Sequence, residues 1–447
     1  MVKHRRATAA RMCRITVNSP LTDLPYWWGV PTGERVPLTG EVVKAIRLRR
    51  LADLGAALDR GRVLAYCRIL LAAETGIFLF FIAGTHGLIV PLAGPASTDF
   101  VSFYAAGALA DSGTPELAYD QAAHHAAEQR ATAPGVEYRF FYYPPVFLLL
   151  CAALAHLPYL AAFLLFEAAT FVLCLIVMRG ILAERDWSAT IPVLAFPAVF
   201  WTLGLGQNSF LTAALFGAGT LLIDRRPVLA GLCFGALCYK PHFALLVPVA
   251  LLAGGHWRAL AAAFGSTAAL GGLSVIAFGW ETWHAFVTAG TGSPATYASG
   301  LINFGGFVSP FGGILLASGS QKAGYIAQTA ATFGAGLLVA IVWRRGLPLA
   351  IRAATLAAAT LAAIPVVLLY DLMLAAVAAA WLIRDRAELA GWEKMVLAAL
   401  FVLSMVPPGL SEAWHFPSGP IVVLILLVLI ATRALGSTSS AGQTATT

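Results

Sequence analysis

Residues 69–90 read ILLAAETGIFLFFIAGTHGLIV, and this stretch decides the fold class. It contains one acid, Glu74, and no lysine or arginine, and its length suits the roughly 20 residues that a helix needs to cross a bilayer. Comparable apolar runs recur to the C-terminus, so that the chain is 59% hydrophobic and only 11% charged. Soluble proteins carry about 25% charged residues. The sequence therefore predicts an all-α polytopic integral membrane protein.

The apolar runs predict about 10–13 transmembrane helices, several of them short and interrupted by proline or glycine. Broken backbone of this kind is tolerated in a membrane where it lines a cavity. We place the multi-spanning domain at residues 67–435, after a basic, partly disordered cytoplasmic region at 1–66 and before a disordered tail at 436–447. Basic residues gather at the N-terminus and in short loops, as cytoplasmic flanks do. The net charge of +7 therefore indicates membrane topology and contact with membrane lipids, and not a nucleic-acid partner.

Two outer loops are predicted, at 93–143 and at 279–310. The first is expected to carry interfacial helices, and it is rich in acids. Loops of this length usually have a function of their own. Its charged residues are Asp99, Asp111, Glu116, Asp120, Glu128 and Glu137 against Arg130 and Arg139.

The first outer loop contains STDFVSFYAAGAL at 97–109, with Asp99 as its only acid. Phe100, Phe103 and Tyr104 follow at helical spacing, which favours a helix lying at the membrane interface. Asp99 then has two interpretations. It is either the N-cap of this helix, since aspartate favours that position, or a reactive carboxylate at the membrane face.

Further polar residues interrupt the apolar runs. Gln207 and Asn208 either bind a polar ligand or satisfy loosened backbone at a helix break. Lys240, close to His242, is either a functional cation that binds a phosphate or a lysine that snorkels from a loop.

At the edge of a later apolar run, Asp371 and the adjacent Tyr370 belong either to a helix cap or to a site. A Ser-His-Asp arrangement, a Walker loop and a zincin motif are all missing from the sequence, which argues against a nucleotide site of the soluble type.

The stretch TDFVSFYAAGALADSGTPELAYD at 98–120 resembles the first outer loop of glycosyltransferase family 87, also filed as domain of unknown function 2029. This family comprises polyprenyl-phosphate-mannose-dependent α-mannosyltransferases. The resemblance continues, in the same order, over about residues 69–433. It is carried by YYPPVFLLL at 142–150, GLGQNSFLTAAL at 204–215, RRPVLAGLCFGALCYKPHFALL at 225–246 and LLYDLMLAAVAAAWL at 368–382.

The resemblance implies a GT-C-type fold whose active site faces the outer side of the plasma (inner) membrane. It implies a hexose, mannose in the family, moving from a polyprenyl-phosphate donor to a hydroxyl of a lipid or glycan with inversion. The catalytic base of the family maps onto Asp99. The expected donor- and acceptor-binding residues are Tyr104, Asp120, Gln207, Asn208, Lys240, His242, Tyr370 and Asp371.

No organic cofactor is expected, and the sequence does not indicate whether a divalent metal assists. The alternative function is a non-catalytic transporter or lipid flippase, which also has broken helices and buried polar residues. Transporters often contain internal repeats, which are not evident here, and they need no long acidic outer loop after the first span.

Overall fold

A computed structural model confirms the all-α fold class. It describes residues 57–83, 98–291, 303–385 and 389–443, together with residue 55 and the pairs 90–91 and 95–96. Residues 1–54, which hold most of the predicted N-terminal region, lie outside the described residues. The described strands are the two-residue β1 (Val90–Pro91) and β2 (Pro95–Ala96), which pair antiparallel.

The chain up to residue 291 forms eleven described α-helices, with short 3₁₀ turns between some of them. They are α1 (Arg60–Ala83), α2 (Phe100–Asp111), α3 (Gln121–Ala131), α4 (Pro145–Ala155), α5 (Tyr159–Leu182), α6 (Ile191–Leu194), α7 (Pro197–Leu205), α8 (Ser209–Leu222), α9 (Pro227–Ala236), α10 (Val247–Ala253) and α11 (Trp257–Thr291).

Seven further described helices follow. They are α12 (Pro310–Ser318), α13 (Gln321–Arg344), α14 (Leu349–Ala363), α15 (Met373–Arg384), α16 (Gly391–Ser404), α17 (Pro408–Ala413) and α18 (Ser418–Gln443).

Fewer helices than expected are long enough to cross a membrane. Within the described residues, five are long and apolar enough, or six if the pair Trp187–Leu194 and Pro197–Leu205, bent by 63°, is one span. The prediction of 10–13 spans counted apolar runs in the sequence. Five of those runs form helices of only 10–17 residues. At 1.5 Å per residue such helices fall short of the roughly 30 Å hydrocarbon layer. The five long spans are Arg60–Phe80, Tyr159–Leu182, Trp257–Gly290, Gln321–Arg344 and Ser418–Leu435.

Several boundaries differ from the predicted ones. The first helix begins at Arg60, before the predicted start of the span at Ile69. Helix α11 continues to Thr291 through a kink at Gly279, so the first part of the predicted second outer loop is helical. Helix α18 extends to Gln443, into residues that the sequence assigns to the tail. In each case a helix continues past the apolar stretch that marks it in the sequence.

Helix α14 lies in the middle of the largest hydrophobic core. All but two of its 15 residues are buried, and most of these are alanines. Small side chains allow helices in membranes to approach closely, and α14 packs against α13, α15 and α18.

Residues 98–143, which the sequence predicts to belong to the first outer loop, contain helices α2 and α3. Helix α2 packs on α3 and on α4, and at Gly107 it lies directly against the backbone carbonyl of Cys151, where a Cβ atom would collide. Phe100 and Phe103 anchor α2 in a second aromatic core. This packing fixes the start of α2, where Asp99 lies.

Candidate active site

Asp99 precedes helix α2, at the position where an aspartate usually caps the first turn. Its carboxylate nevertheless makes no cap hydrogen bond with Phe100–Asp111. It accepts a hydrogen bond from Nε2 of Gln207 at 2.8 Å instead, and the side chain remains 24% exposed. Its backbone N–H donates to the carbonyl of Leu205 at 2.7 Å. Asp99 is therefore a partly open carboxylate held by another part of the chain.

The pKa of Asp99 is raised above its ordinary value, because burial disfavours the charged carboxylate. The guanidinium of Arg139 and the hydrogen bond from Gln207 act in the opposite direction and lower that pKa. A carboxylate with a raised pKa is a better proton acceptor than a solvated one, provided that it remains ionised.

Gln207 reaches Asp99 because the chain reverses between helices α7 and α8. Gly206 ends α7 with a φ of 67°, a left-handed conformation that glycine adopts without steric cost. A Cβ atom at this position would lie 2.9 Å from the Cβ of Phe100. The Gln207 side chain is buried, and its Oε1 accepts a hydrogen bond from the hydroxyl of Tyr143 at 3.5 Å.

Arg139 lies beside Asp99, with its Nε 3.6 Å from Oδ1 of the carboxylate. A second acid, Glu137, lies 3.7 Å from another guanidinium nitrogen. The arginine is 33% exposed, so the cation is open to a ligand. The sequence analysis missed this residue. The available signal was that Arg130 and Arg139 are the only lysine or arginine residues in the predicted outer loop at 93–143.

Lys240 and Asp371 form a second, closed centre. The ammonium nitrogen lies 2.7 Å from Oδ1 of Asp371, and the two side chains are only 6% and 3% exposed. Lys240 also donates to Oδ1 of Asn208 at 3.3 Å, and Ser209 donates to the same Asp371 oxygen at 2.8 Å. This ion pair joins two broken segments of the chain to the start of α8.

The local sequence explains why Lys240 lies at a break. Pro241 has no N–H to continue a helix, and two 3₁₀ turns, Leu237–Tyr239 and Pro241–Ala244, replace regular helix there. The lysine is the residue between them. Its ammonium lies 5.4 Å from the ring centroid of Tyr370, which is buried.

Tyr143 and the start of α8 connect the two centres. Gln207, Asn208 and Ser209 are consecutive; the first contacts Asp99, and the other two contact the Lys240–Asp371 pair. The pKa of Tyr143 is raised far above its usual range, chiefly by burial and then by the negative charge of Asp371. The charge of Asp99 also raises it, so both carboxylates act on this phenol. The structure therefore brings six predicted residues together: Asp99, Gln207, Asn208, Lys240, Tyr370 and Asp371.

Residues 141–369, just over half of the chain, match the family model described as glycosyltransferase family 87. The chain belongs to glycosyltransferase family 87. It is therefore a membrane glycosyltransferase, as the sequence resemblance predicts. No curated protein matches the chain, and no solved structure does.

The family 87 match covers only part of the site. Asp99, Tyr104, Asp120 and Arg139 precede the matched range, and Tyr370 and Asp371 follow it directly. Inside it are Gln207, Asn208, Lys240 and His242. The match thus gives the reaction class, whereas the roles of individual residues rest on their contacts.

Three predicted site residues have other surroundings in this family 87 chain. Tyr104 donates its hydroxyl to the carbonyl of Leu157 at 2.9 Å. Asp120 caps helix α3 by accepting a hydrogen bond from the N–H of Ala123 at 2.8 Å. His242 is exposed, on the 3₁₀ turn after Lys240. Among the described residues, none of the three has a hydrogen bond or ion pair to Asp99.

Metal binding was left open by the sequence. In the part of the chain that the structure describes, no three or more His, Cys, Asp or Glu side chains come together as a possible metal site.

Proposed function

We propose that this protein transfers a hexose, mannose by resemblance to its family, from a polyprenyl-phosphate donor to a hydroxyl of a lipid or glycan. Asp99 is the general base. The observation that carries this proposal is the position of the Asp99 carboxylate. It does not cap helix α2, and it is 24% exposed beside Gln207 and Arg139. Membership of family 87 favours this function over the alternative of a non-catalytic transporter or flippase.

The proposed reaction is a single inverting displacement. The acceptor hydroxyl oxygen attacks the anomeric carbon, and its proton passes to Asp99. The bond between that carbon and the phosphate oxygen breaks, and the lipid phosphate leaves with the electron pair. Positioned proton transfer of this kind typically contributes about 10²–10⁴-fold in rate.

Gln207 is proposed to orient the base. Its amide donates to Oδ2 of Asp99, which leaves the other oxygen, Oδ1, directed towards Arg139. Lys240, expected from the sequence to bind the donor phosphate, already has its charge balanced by Asp371 at 2.7 Å. We therefore assign Lys240, Asn208 and Asp371 to the wall of the site rather than to the reacting phosphate.

The charge distribution supports an active site on the outer face of the plasma membrane. Helix α8 begins at the site and ends about 21 Å away, at 1.5 Å per residue. At its far end Asp224 pairs with Arg352 at 2.7 Å, and other arginines surround this pair. Basic residues concentrate on the cytoplasmic side of membrane proteins, so the acidic loop with Asp99 faces outwards. The exposed arginines at or near the far end are Arg225, Arg226, Arg258, Arg344 and Arg345.

The test is a transfer assay with purified protein in lipid, labelled polyprenyl-phosphate mannose as donor and a membrane-lipid extract as acceptor pool. Asp99→Asn keeps the shape of the side chain and removes the base, so transfer should fall by about 10²–10⁴-fold. Asp120→Asn is the matched control, because it makes the same change in the same loop at a residue that caps α3.

Transfer that collapses only in Asp99→Asn, with the thermal unfolding midpoint unchanged, supports Asp99 as the base. Equal transfer by wild type and Asp99→Asn removes Asp99 from the chemistry. If the wild type transfers no mannose but transfers another hexose from a polyprenyl phosphate, the sugar assignment is wrong and the base assignment is tested again with that donor.

A further inference from the structure

Arg139 is held in place by a buried acid. Its backbone N–H points between the two carboxylate oxygens of Glu128, at 3.2 and 3.1 Å. Glu128 lies on helix α3 and is fully buried, whereas the Arg139 side chain is 33% exposed. The chain is thus anchored at the backbone of this residue while its guanidinium projects towards Asp99.

Glu128 is tied in turn to helix α2 through His124. One ring nitrogen of His124, Nε2, lies 3.1 Å from the carbonyl of Ser102, and a carbonyl requires that Nε2 carries the proton. The other, Nδ1, lies 3.6 Å from Oε1 of Glu128. Ser102 is one turn after Asp99, so α2, α3 and the Arg139 segment are connected through buried polar groups.

Burial acts in opposite directions on the pKa values of Glu128 and His124. Burial raises the pKa of Glu128 to about 8, and burial lowers the pKa of His124 to about 4. Near neutral pH the histidine is therefore neutral, and Glu128 is largely protonated. A protonated Glu128 retains a carbonyl oxygen that accepts from the N–H of Arg139, whereas Nδ1 of His124, 3.6 Å from Oε1, forms no hydrogen bond with a described residue.

The guanidinium has unused hydrogen-bonding capacity. Its Nε is shielded from solvent and forms no hydrogen bond with any described residue, since Asp99 remains 3.6 Å away. Glu137 lies 3.7 Å from another guanidinium nitrogen. A buried donor without an acceptor is costly. A phosphate oxygen would supply that acceptor, and the planar guanidinium suits phosphate in two-point contact.

We propose that Arg139 is the cation that receives the phosphate of the lipid-linked donor, and that Glu128 positions it there. This inference rests on the proposed function and deepens it. When the phosphate contacts Arg139, the positive charge beside Asp99 is shared with the incoming anion. The proton-accepting carboxylate is then released from part of its ion pair at the moment the donor is bound.

The experiment measures binding separately from transfer. The probe is polyprenyl phosphate without a sugar, bound to the full chain in phosphatidylcholine nanodiscs. Arg139→Gln should weaken its binding by roughly tenfold to a hundredfold, as expected for losing a hydrogen bond to a charged group. Arg130→Gln, an exposed arginine in the same loop, is the matched control and should bind as wild type does.

Two Glu128 variants test the positioning role. Glu128→Ala removes the acceptor for the Arg139 N–H, so it should weaken probe binding and raise the donor KM. Glu128→Gln retains a carbonyl acceptor for that N–H and a donor for His124, so it should restore both quantities. If Glu128 served only the stability of the loop, Glu128→Ala would lower the amount of folded protein. Probe binding and donor KM of the protein that does fold would then stay as in the wild type.

The outcomes separate the two proposals. If Asp99→Asn binds the probe but no longer transfers, and Arg139→Gln fails to bind it, both proposals stand. If Arg139→Gln binds the probe as wild type does, this inference is overturned and the proposed function is untouched. If phosphatidylglycerol displaces the probe at equal concentration, Arg139 binds general lipid phosphate and its assignment to the donor is overturned. If the wild type does not bind the probe, the lipid-phosphate donor itself is wrong.

Discussion

The two polar centres of this protein have the same ingredients, one cation and one carboxylate, yet they are built differently. Lys240 and Asp371 are in direct contact at 2.7 Å and almost fully buried. Arg139 and Asp99 stay 3.6 Å apart and remain 33% and 24% exposed. The first pair also hydrogen-bonds Oδ1 of Asn208 and the hydroxyl of Ser209, although Nδ2 of Asn208 has no hydrogen bond among the described residues. In the second pair it is a nitrogen of the cation itself, Nε of Arg139, that lacks one.

Because of this difference, we expect the closed pair to stabilise the fold and the open pair to bind a ligand. A closed, fully paired ion pair fixes the positions of broken helices but has little affinity left for a ligand. An open pair with unused donors is less stable by itself, and a ligand that completes it gains the missing interactions. The distance between cation and carboxylate therefore distinguishes their roles better than the residue types do.

The largest expected effect on stability is at the closed pair. Lys240→Met leaves Asp371 buried without a counter-charge, which should cost about 3–5 kcal/mol in the free energy of unfolding. The double variant Lys240→Met with Asp371→Leu removes both charges and should recover most of that loss. Thermal and denaturant-induced unfolding in detergent measure both variants.

The distinction between the closed and the open pair is wrong if Lys240→Met unfolds like the wild type but loses polyprenyl-phosphate binding. Lys240 would then be a ligand residue, as its position in the sequence suggests, and the closed pair would have to open on binding.

The sequence predicted the all-α membrane fold class correctly, and it singled out polar residues that the structure places in contact, such as Gln207 with Asp99 and Lys240 with Asp371. Long apolar runs identify membrane helices because few other structures tolerate them, and isolated polar residues such as Gln207 and Lys240 are noticeable against that background. The role of Asp99 was ambiguous because a cap and a base look identical in sequence, and only the direction of the carboxylate distinguishes them. Arg139 was missed because its meaning depends on tertiary contacts with Asp99 and Glu128.

The predicted span count exceeds the five or six long apolar helices of the described residues for a related reason. Hydropathy reports that a run is apolar, but it does not report where the helix breaks. Around Lys240 the sequence contains two apolar runs, at about 228–239 and 242–254, and the structure separates them by two 3₁₀ turns. Each run therefore forms a short helix beside the site.

The next prediction concerns the pH dependence of stability that arises from Glu128, the acid that holds Arg139 in place. The pKa of Glu128 is raised from 4.5 to about 8, so the folded protein binds this proton more tightly than the unfolded chain does. Its contribution to stability is therefore present at low pH and is lost as pH rises from about 4.5 to about 8. Since each pKa unit corresponds to about 1.4 kcal/mol, the loss amounts to a few kcal/mol.

Glu128→Gln mimics the protonated acid at every pH, so it should abolish this decline, and its unfolding midpoint at pH 9 should exceed that of the wild type. His124 faces Glu128 and gives the opposite slope, because its lowered pKa of about 4 removes stability as pH falls below about 6.5. Identical pH profiles of wild type and Glu128→Gln would show that Glu128 is already ionised in the folded protein.

A smaller effect is expected at the turn that brings Gln207 to the open pair. Gly206→Ala forces a side chain into a left-handed conformation, with φ at 67°, at a cost of about 1–2 kcal/mol. The new Cβ would also lie 2.9 Å from the Cβ of Phe100, the first residue of α2. We expect the resulting shift to separate Gln207 from Asp99, so kcat should fall. Gly204→Ala is the control, because a Cβ there meets nothing within 4 Å. Equal activity of the two variants would mean that the Gln207 contact does not orient the base.

The smallest effect is expected at Asp120, which has the same position relative to its helix as Asp99 but does what a helix cap does. Asp120→Ala removes the hydrogen bond to the N–H of Ala123 and should cost about 1 kcal/mol, the usual value of an N-cap. Asp120→Asn should recover that stability, since asparagine caps equally well. Sugar transfer by both variants should match the wild type once the amount of folded protein is equalised. A transfer defect in Asp120→Asn, with stability intact, would place Asp120 at the substrate and show that capping and binding coincide in one carboxylate.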